Sequence, residues 1–280
     1  MIGFGVLAAI AFAVVGRGGS DSTPATTEAT TTGPPPKPVA RIIFPEGFTI
    51  DDMAKRIAAV NKIAKDKRHI RSKLSPKRYE KIANSATKPP QGFPYKKRVT
   101  SLEGFLFPAT YDFTEDTTTQ ELVHDQLSAF IRAFSQIDLR FAKSKNLTPY
   151  DVLIIASMVE KETLSPDERQ LVAAVIYNRM RAGMPLGIDA TLRYGLNIPP
   201  TKSIRESQLA SNTPYNTRRF AGLPPTPIAN PGLASLQAAA HPAQVNYLYF
   251  VRKPDKAHHF FTASERAFLQ YECAHGYGCG

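Results

Sequence analysis

Thr148-Pro149-Tyr150-Asp151-Val152-Leu153-Ile154-Ile155-Ala156-Ser157-Met158-Val159-Glu160-Lys161-Glu162-Thr163 runs from a helix-start signal, through an apolar middle, to a charged end. Thr148 reads as an N-cap, Pro149 as the first helical residue and Asp151 as the third. Leu153, Ala156 and Glu160 stand at i, i+3 and i+7, so they share one helical face. A carboxyl group on that stripe, near the end of an apolar helix, is expected to lose water and hold its proton, as a general acid must near neutral pH. The same pattern fits an ordinary surface glutamate in a last turn, pairing with Lys161 or Arg169, and on pattern alone that reading is the stronger. Glu162 lies two positions on and points well away from Glu160; its expected role is structural, seating neighbouring loops.

Further helices follow downstream. Ser165 is expected to cap a helix that starts at Pro166, has Glu168 at its third position and stops at Gly183. Asn230-Pro231 is expected to open another, with Asn230 as N-cap, ending at His241-Pro242. Strands near 246–252 and 258–262 suggest a hairpin, and Thr262 with Glu265 a capping signal for a last helix. Upstream, a long amphipathic helix is expected over 117–143. Arg41-Ile42-Ile43-Phe44 reads as a strand and Pro45-Glu46-Gly47 as a turn. Thr49 and Asp52 form a capping box before Met53, Ile57 and Val60 at near-helical spacing. Ser75-Pro76 opens a second short helix, and a closing strand is expected near Val99-Thr100. This makes a small strand–helix–helix–strand unit, most economically a non-catalytic adaptor.

The 280 residues carry a net charge of +11. Residues 41–100 hold sixteen basic and five acidic side chains, and the rest of the chain is balanced, so one sixty-residue segment holds the whole excess. Either it is a solvated basic face, or it is drawn to a polyanion such as anionic lipid or acidic wall polymer. Few aromatics interrupt the charges and no nucleic-acid motif is present, so nucleic acid is the weakest candidate. Residues 2–15 are apolar and uncharged, a little short for a span of about 30 Å and without preceding basic residues. A membrane anchor is the favoured reading, ahead of a cleaved signal peptide and a buried helix. A Thr/Pro/Ser/Gly-rich stretch up to Val39, ending in Pro34-Pro35-Pro36-Lys37-Pro38, cannot bury a core and reads as an extended linker. Cys273 and Cys279 sit in no zinc pattern; a small disulfide loop and two free thiols are equally compatible. His258 and His259 are adjacent on a strand and point to opposite faces, and no third ligand is evident, so no metal is expected.

The string Ala156-Ser157-Met158-Val159-Glu160-Lys161-Glu162-Thr163 resembles the ASxVEKET signature of the endolytic murein transglycosylases, the MltG or YceG-like family. Ser101-Leu102-Glu103-Gly104-Phe105-Leu106-Phe107-Pro108-Ala109-Thr110-Tyr111 resembles that family's LEGxLFPxTY string. Val175 to Met180, Gly183 to Leu186, Asp189-Ala190-Thr191 and Tyr194-Gly195 follow in family order. So do Tyr215-Asn216-Thr217, Gly222 to Pro225, Ile228 to Gly232, Ala238 to Pro242, Tyr247 to Val251 and His259-Phe260. The resemblance covers about residues 41–270. It implies an α+β protein, with a LysM-like β-α-α-β unit followed by a mostly helical catalytic domain with short strands. The implied organisation is an anchor (1–16), a linker (17–40), a basic LysM-like domain (41–100), a catalytic domain (101–272) and a tail (273–280). It implies a single-pass inner-membrane protein facing the wall, whose substrate is the peptidoglycan glycan strand and whose neighbours are the cell-wall synthases, with no cofactor.

It also makes Glu160 the catalytic residue. An ordinary glycosidase uses two carboxyls. A lytic transglycosylase uses no water, and one carboxyl can act as acid and then as base while a 1,6-anhydro ring closes. Glu103, Asp189, Tyr194, Tyr215, Asn216 and Asn230 sit in loop-like motifs and are candidates for sugar contacts, as is Glu162; each could equally staple a loop. The sequence departs from the family pattern in a shortened N-terminal region, with one strand–PEG–helix unit where two are common, and in Ala190 where Pro is frequent after Asp189. The shortening puts glycan binding by that unit in doubt. A muramidase-type hydrolase and a non-catalytic wall-binding scaffold are the rival readings.

Overall fold

Residues 38–278 are described by the computed structural model. The apolar run 2–15, most of the linker and Cys279 lie outside them. Among the described residues, no helix is long and apolar enough to cross a membrane.

Strand β1 (Ala40–Ile43) buries Ala40 and Ile42 and turns Arg41 and Ile43 outward, the period-two alternation of a half-covered strand. Its antiparallel partner is β2 (Thr110–Phe113), with Ile42 opposite Tyr111 and Arg41 opposite Asp112. The Arg41 and Asp112 side chains form an exposed ion pair of 3.0 Å. Between the strands lie α1 (Ile50–Arg68) and α2 (Pro76–Asn84). Thr49 and Asp52 make the expected capping box on α1, and Ser75 caps α2. The inner faces contribute Met53, Ile57, Tyr79 and Ala83, which pack with Ile42, Phe44, Leu106 and Phe113 in one apolar core.

The β-α-α-β order is as expected, but its closing strand is not. Val99 lies in a loop, buried in the other core, with its N–H on the Thr87 carbonyl at 3.2 Å. The partner of β1 comes ten residues later, where Tyr111 and Phe113 face inward between the outward Thr110 and Asp112. Residue 100 is therefore no boundary. The segment after it supplies Leu102 and Leu106 to the first core and Phe105 to the second.

The next helix, α3 (Thr119–Phe134), also serves both cores, with Leu122 and Val123 in one and Phe130 and Phe134 in the other. The long helix expected over 117–143 is interrupted. Ser135 and Gln136 turn their side chains back onto the Arg132 carbonyl. Asp138 then accepts the Arg140 N–H at 2.9 Å and starts α4 (Arg140–Ser144). All three contacts are local side-chain alternatives to helical bonding.

Helix α5 (Pro149–Glu162) is the axis of the second core. Tyr150 and every residue from Val152 to Val159 are buried, so it is apolar all round. Around it stand α6 (Arg169–Arg181), α7 (Asp189–Gly195) and α9 (Leu233–Ala240), with the short α8 (Glu206–Leu209) in the intervening loop. The small side chains Ala238, Ala239 and Ala240 let α9 lie close against α5. A hairpin of β3 (Tyr249–Arg252) and β4 (His259–Thr262) and the final α10 (Glu265–Ala274) complete the fold, an α+β arrangement with two two-stranded sheets.

Three expected caps are replaced. Ser165 bonds the Asp167 side chain and caps nothing; a 3-10 turn at Pro166–Glu168 leads into α6. Ser264, not Thr262, caps α10, since only its hydroxyl reaches the Ala267 N–H. Gly232, not Asn230, stands at the start of α9. Cys273 is disulfide-bonded.

Candidate active site

Capping by Thr148 and Asp151 fixes where α5 begins, and its length carries Glu160 to the edge of the core. Leu153 and Ala156 on the same face are fully buried, while Glu160 is half-exposed. One carboxylate oxygen of Glu160 accepts the Gly232 N–H at 3.1 Å, at the N-terminal end of α9. A carboxylate suits that position, where helix N–H groups lack intrahelical partners.

The third wall is the Pro45–Glu46–Gly47 turn that follows β1. Gly47 has φ +76°, which favours glycine. The turn is clamped to the segment before α9 by two backbone bonds of 2.9 Å, Gly47 N–H to the Asn230 carbonyl and Asn230 N–H to the Phe48 carbonyl. The Lys161 ammonium donates to the Gly47 carbonyl at 3.3 Å. Glu46 thus lies across Gly232, so close that a Cβ on that glycine would overlap its carboxyl group. The Arg169 guanidinium stands 4.0 Å from Glu46 and also donates to the Ser235 hydroxyl at 3.3 Å. Partial burial, and then the charge of Glu160, push the Glu46 carboxyl above its ordinary value, while Arg169 opposes them. Glu46 is the residue that sequence reasoning missed. Its turn was legible, but 114 positions separate it from Glu160 and no local pattern joins them.

Glu162 faces another neighbourhood. Burial, then the nearby Asp189 carboxylate, raise its carboxyl to about 7, against the pull of Arg252, the Ala190 N–H and Arg218. Asp189 is itself bonded to Arg218 at 2.6 Å. Glu162 therefore meets the start of α7, away from the Glu46–Gly232 side.

Three candidate sugar ligands are buried inside the fold and present no free surface. Glu103 accepts the Ile50 N–H at 3.2 Å, the Tyr194 hydroxyl at 3.2 Å and the Asn230 side-chain amide at 2.7 Å. Its burial lifts the carboxyl to about 8 in spite of those donors. Asn230 has no exposure; its side chain accepts the Leu106 N–H and donates to Phe48 and Glu103, so it clips three segments together and caps no helix. Asn216 donates to the Leu209 and Ser211 carbonyls at 2.8 Å each and staples its own loop. Tyr194 and Tyr215 are half-buried, their ring centres 5.3 Å apart, and the Tyr215 hydroxyl meets that of Thr226 at 2.8 Å. Gly195 is required there, because a Cβ would come within 2.5 Å of the Tyr215 Cβ.

The two adjacent histidines part company. His259 is buried against Glu168 at 2.7 Å, and His258 pairs with Asp255 at 3.0 Å. No group of metal-ligating side chains converges among the described residues. A cavity of about 920 Å³ lies at the opposite end of α5, lined by Phe141, Leu147, Tyr177, Asn178 and Tyr247 among others. It shares no residue with the Glu160 site, so its size is no argument against that site.

A partly exposed carboxyl at the end of a buried helix, held by a backbone N–H with a second acid nearby, is an arrangement able to take part in proton transfer, and it sits on a mixed α+β scaffold. The sequence model of the YceG-like family matches residues 21–272, and the chain belongs to that family. It is similar to the endolytic murein transglycosylase of Streptococcus pneumoniae strain R6, 33% identical over 232 residues, which cover 79% of this chain and 42% of the relative. The enzyme of the same name from Bacillus subtilis strain 168 is 35% identical over 152 residues, 54% of this chain and 42% of the relative. The chain thus spans about two fifths of the length of these curated relatives. A crystal structure of a YceG-like protein from Listeria monocytogenes is similar with a TM-score of 0.69 and 26% identity, covering 83% of this chain and 76% of that one.

Proposed function

We propose that this chain is an endolytic lytic transglycosylase that cuts the MurNAc–GlcNAc bond within peptidoglycan strands, with Glu160 as acid and then base. Family membership and the names of the relatives support the activity. The observation that carries the assignment of Glu160 is its placement as a half-exposed carboxyl at the end of the otherwise buried α5, held by the Gly232 N–H. In the first step Glu160 gives its proton to the glycosidic oxygen, and the C1–O bond breaks with its electron pair going to that oxygen. The N-acetyl group of the sugar supports the cationic centre. In the second step the Glu160 carboxylate takes the proton of the C6 hydroxyl, whose oxygen bonds to C1 and closes the 1,6-anhydro ring. Water is not consumed, and Glu160 ends protonated.

Around this centre, Asp189, Tyr194 and Tyr215 keep partial exposure and are proposed to contact the glycan, with Glu162 seating α7. The β1-α1-α2-β2 unit is proposed to be LysM-like and to help hold wall material. Residues 2–15 are proposed as a single-pass anchor in the cytoplasmic membrane that leaves the site outside, near the wall synthases.

The test is digestion of purified uncrosslinked glycan strands, with products identified by mass. Anhydro-MurNAc ends are expected from the wild type, and Glu160→Gln should lose at least about 10²–10⁴-fold while melting normally. Near-normal turnover by Glu160→Gln would overturn the assignment. Glu46 beside Glu160 gives some support to a two-carboxyl muramidase, and reducing ends in place of anhydro ends would establish that reading. No cleavage by the wild type would leave the scaffold.

A further inference from the structure

The cavity of about 920 Å³ before the start of α5 plays no part in the reaction proposed above. The 14 residues of α5 set it about 20 Å from Glu160 along the helix axis. Bonds within the protein fix its walls. The buried Asn178 side-chain amide donates to the Val245 and Tyr247 carbonyls at 2.9 Å each, and the Tyr177 hydroxyl donates to the Ala239 carbonyl at 2.9 Å. On the other side, the Leu147 N–H bonds the Ala142 carbonyl at 3.0 Å and closes the turn after α4. The cavity is thus formed before a ligand arrives, as small-molecule sites usually are.

Its lining offers rings, amides and cations, and no aspartate or glutamate. The half-buried Phe141 and Tyr177 rings stand 5.5 Å apart at 55°. The Lys145 ammonium lies 5.2 Å over the Phe141 ring, and the Arg181 guanidinium donates only to the Asn178 amide oxygen, at 3.3 Å. Both cations are exposed and neither is paired with a carboxylate among the described residues. Asp151, whose charge is felt at Tyr177, is engaged in the Thr148 cap. The exposed side-chain amides of Asn146 and Asn246 engage no other group among the described residues.

We propose that this cavity binds an acetamido sugar bearing a carboxylate, at a site separate from the one that cuts. A wall strand offers that chemistry in its N-acetyl groups and in its lactyl and peptide branches, so the choice of ligand rests on the reading of the chain as a wall enzyme. Two unpaired cations with no acid among the lining residues favour an anion. Lys145 and Arg181 take the carboxylate, the Asn146 and Asn246 amides match the acetamide, and the apolar face of a sugar ring packs on Phe141 and Tyr177. The cavity shares no residue with the Glu160 site, so its occupancy leaves that site open.

The test is calorimetric binding of two sugars to the full chain. One is the disaccharide GlcNAc–MurNAc with its free lactyl carboxylate, which contains no MurNAc–GlcNAc bond to be cut. The other is di-N-acetylchitobiose, which has the acetamides but no acid. The acidic sugar should bind more tightly than the neutral one. Lys145→Gln combined with Arg181→Gln should weaken the acidic sugar by about ten-fold and leave the neutral one nearly unchanged. Asn246→Asp, which brings an acid into the lining, should weaken the acidic sugar in the same direction. All three side chains are exposed, so the variants should melt as the wild type does. Equal binding of the two sugars, binding of neither, or an acidic sugar held as tightly by the double variant would overturn the proposal. Anhydro products from wild type beside cation-independent binding would remove this site and keep the transglycosylase reading. Cation-dependent binding by a chain that cuts no strand would remove that reading and keep the site.

Discussion

Glu160 and Glu162 differ by two positions and by everything around them. Glu160 is half-exposed and bonded to a helix start, whereas Glu162 lies against α7 beside Asp189, with its carboxyl raised to about 7. That difference has a thermodynamic signature. Between an unfolded value near 4.5 and about 7, the folded chain keeps the Glu162 proton while the unfolded chain has lost it. Stability from this group is therefore greatest below about 4.5 and is lost as pH rises to about 7. Glu103 acts in the same direction, up to about 8. Comparison of the melting temperatures of wild type and Glu162→Gln isolates the one group. The variant should gain relative to wild type as pH goes from 4.5 to 7, and a difference constant over that range would reject the prediction.

The helix that presents Glu160 depends on its first turn. The Thr148 hydroxyl accepts the Asp151 N–H at 3.2 Å, and the Asp151 carboxylate accepts the Thr148 N–H at 2.7 Å. Since α5 is buried along nearly its whole length, its start sets the height at which Glu160 leaves the core. Thr148→Ala should cost about 1 kcal/mol, or about 2–4 °C in Tm for a chain of this size, measurable by thermal melting. Other helix caps could not be read from local pattern. Asn230, Ser165 and Thr262 all look like N-caps, but the first is drawn to the buried Glu103, the second bonds Asp167 and the third gives way to Ser264. The hydroxyl or amide that wins a cap is settled by what else lies within reach.

The two apolar cores share the segment after residue 100 and α3, so the basic unit is continuous with the region that carries Glu160. Lys62, Lys65, Lys67, Arg68, Lys77 and Lys81 of that unit are solvent-exposed. Exposed charges are screened within about 8 Å at physiological ionic strength. If this face attracts polyanions, binding of the chain to anionic vesicles should weaken steeply with added salt, and neutral vesicles should bind little. Salt-insensitive association, followed by co-sedimentation, would leave the face merely solvated.

What the sequence determined by itself was local. The caps at Thr49 and Thr148, the short strand near Arg41–Phe44 and the 246–262 hairpin all follow from neighbours a few positions apart, where propensity, periodicity and side-chain reach act directly. Glu160 comes forward as the candidate acid only through the resemblance of its string to the family signature, since on local pattern alone a surface glutamate is the stronger reading. Only the tertiary structure decided that β2, not Val99–Thr100, closes the first unit, because strand pairing is chosen by a partner about seventy residues away. Only it buried Glu103, Asn216 and Asn230 as staples, since a polar side chain in a loop string looks the same whether it meets solvent or three backbone segments. And only it set Glu46 on Gly232 beside Glu160, because that contact exists through chain folding over more than a hundred residues and leaves no spacing to read.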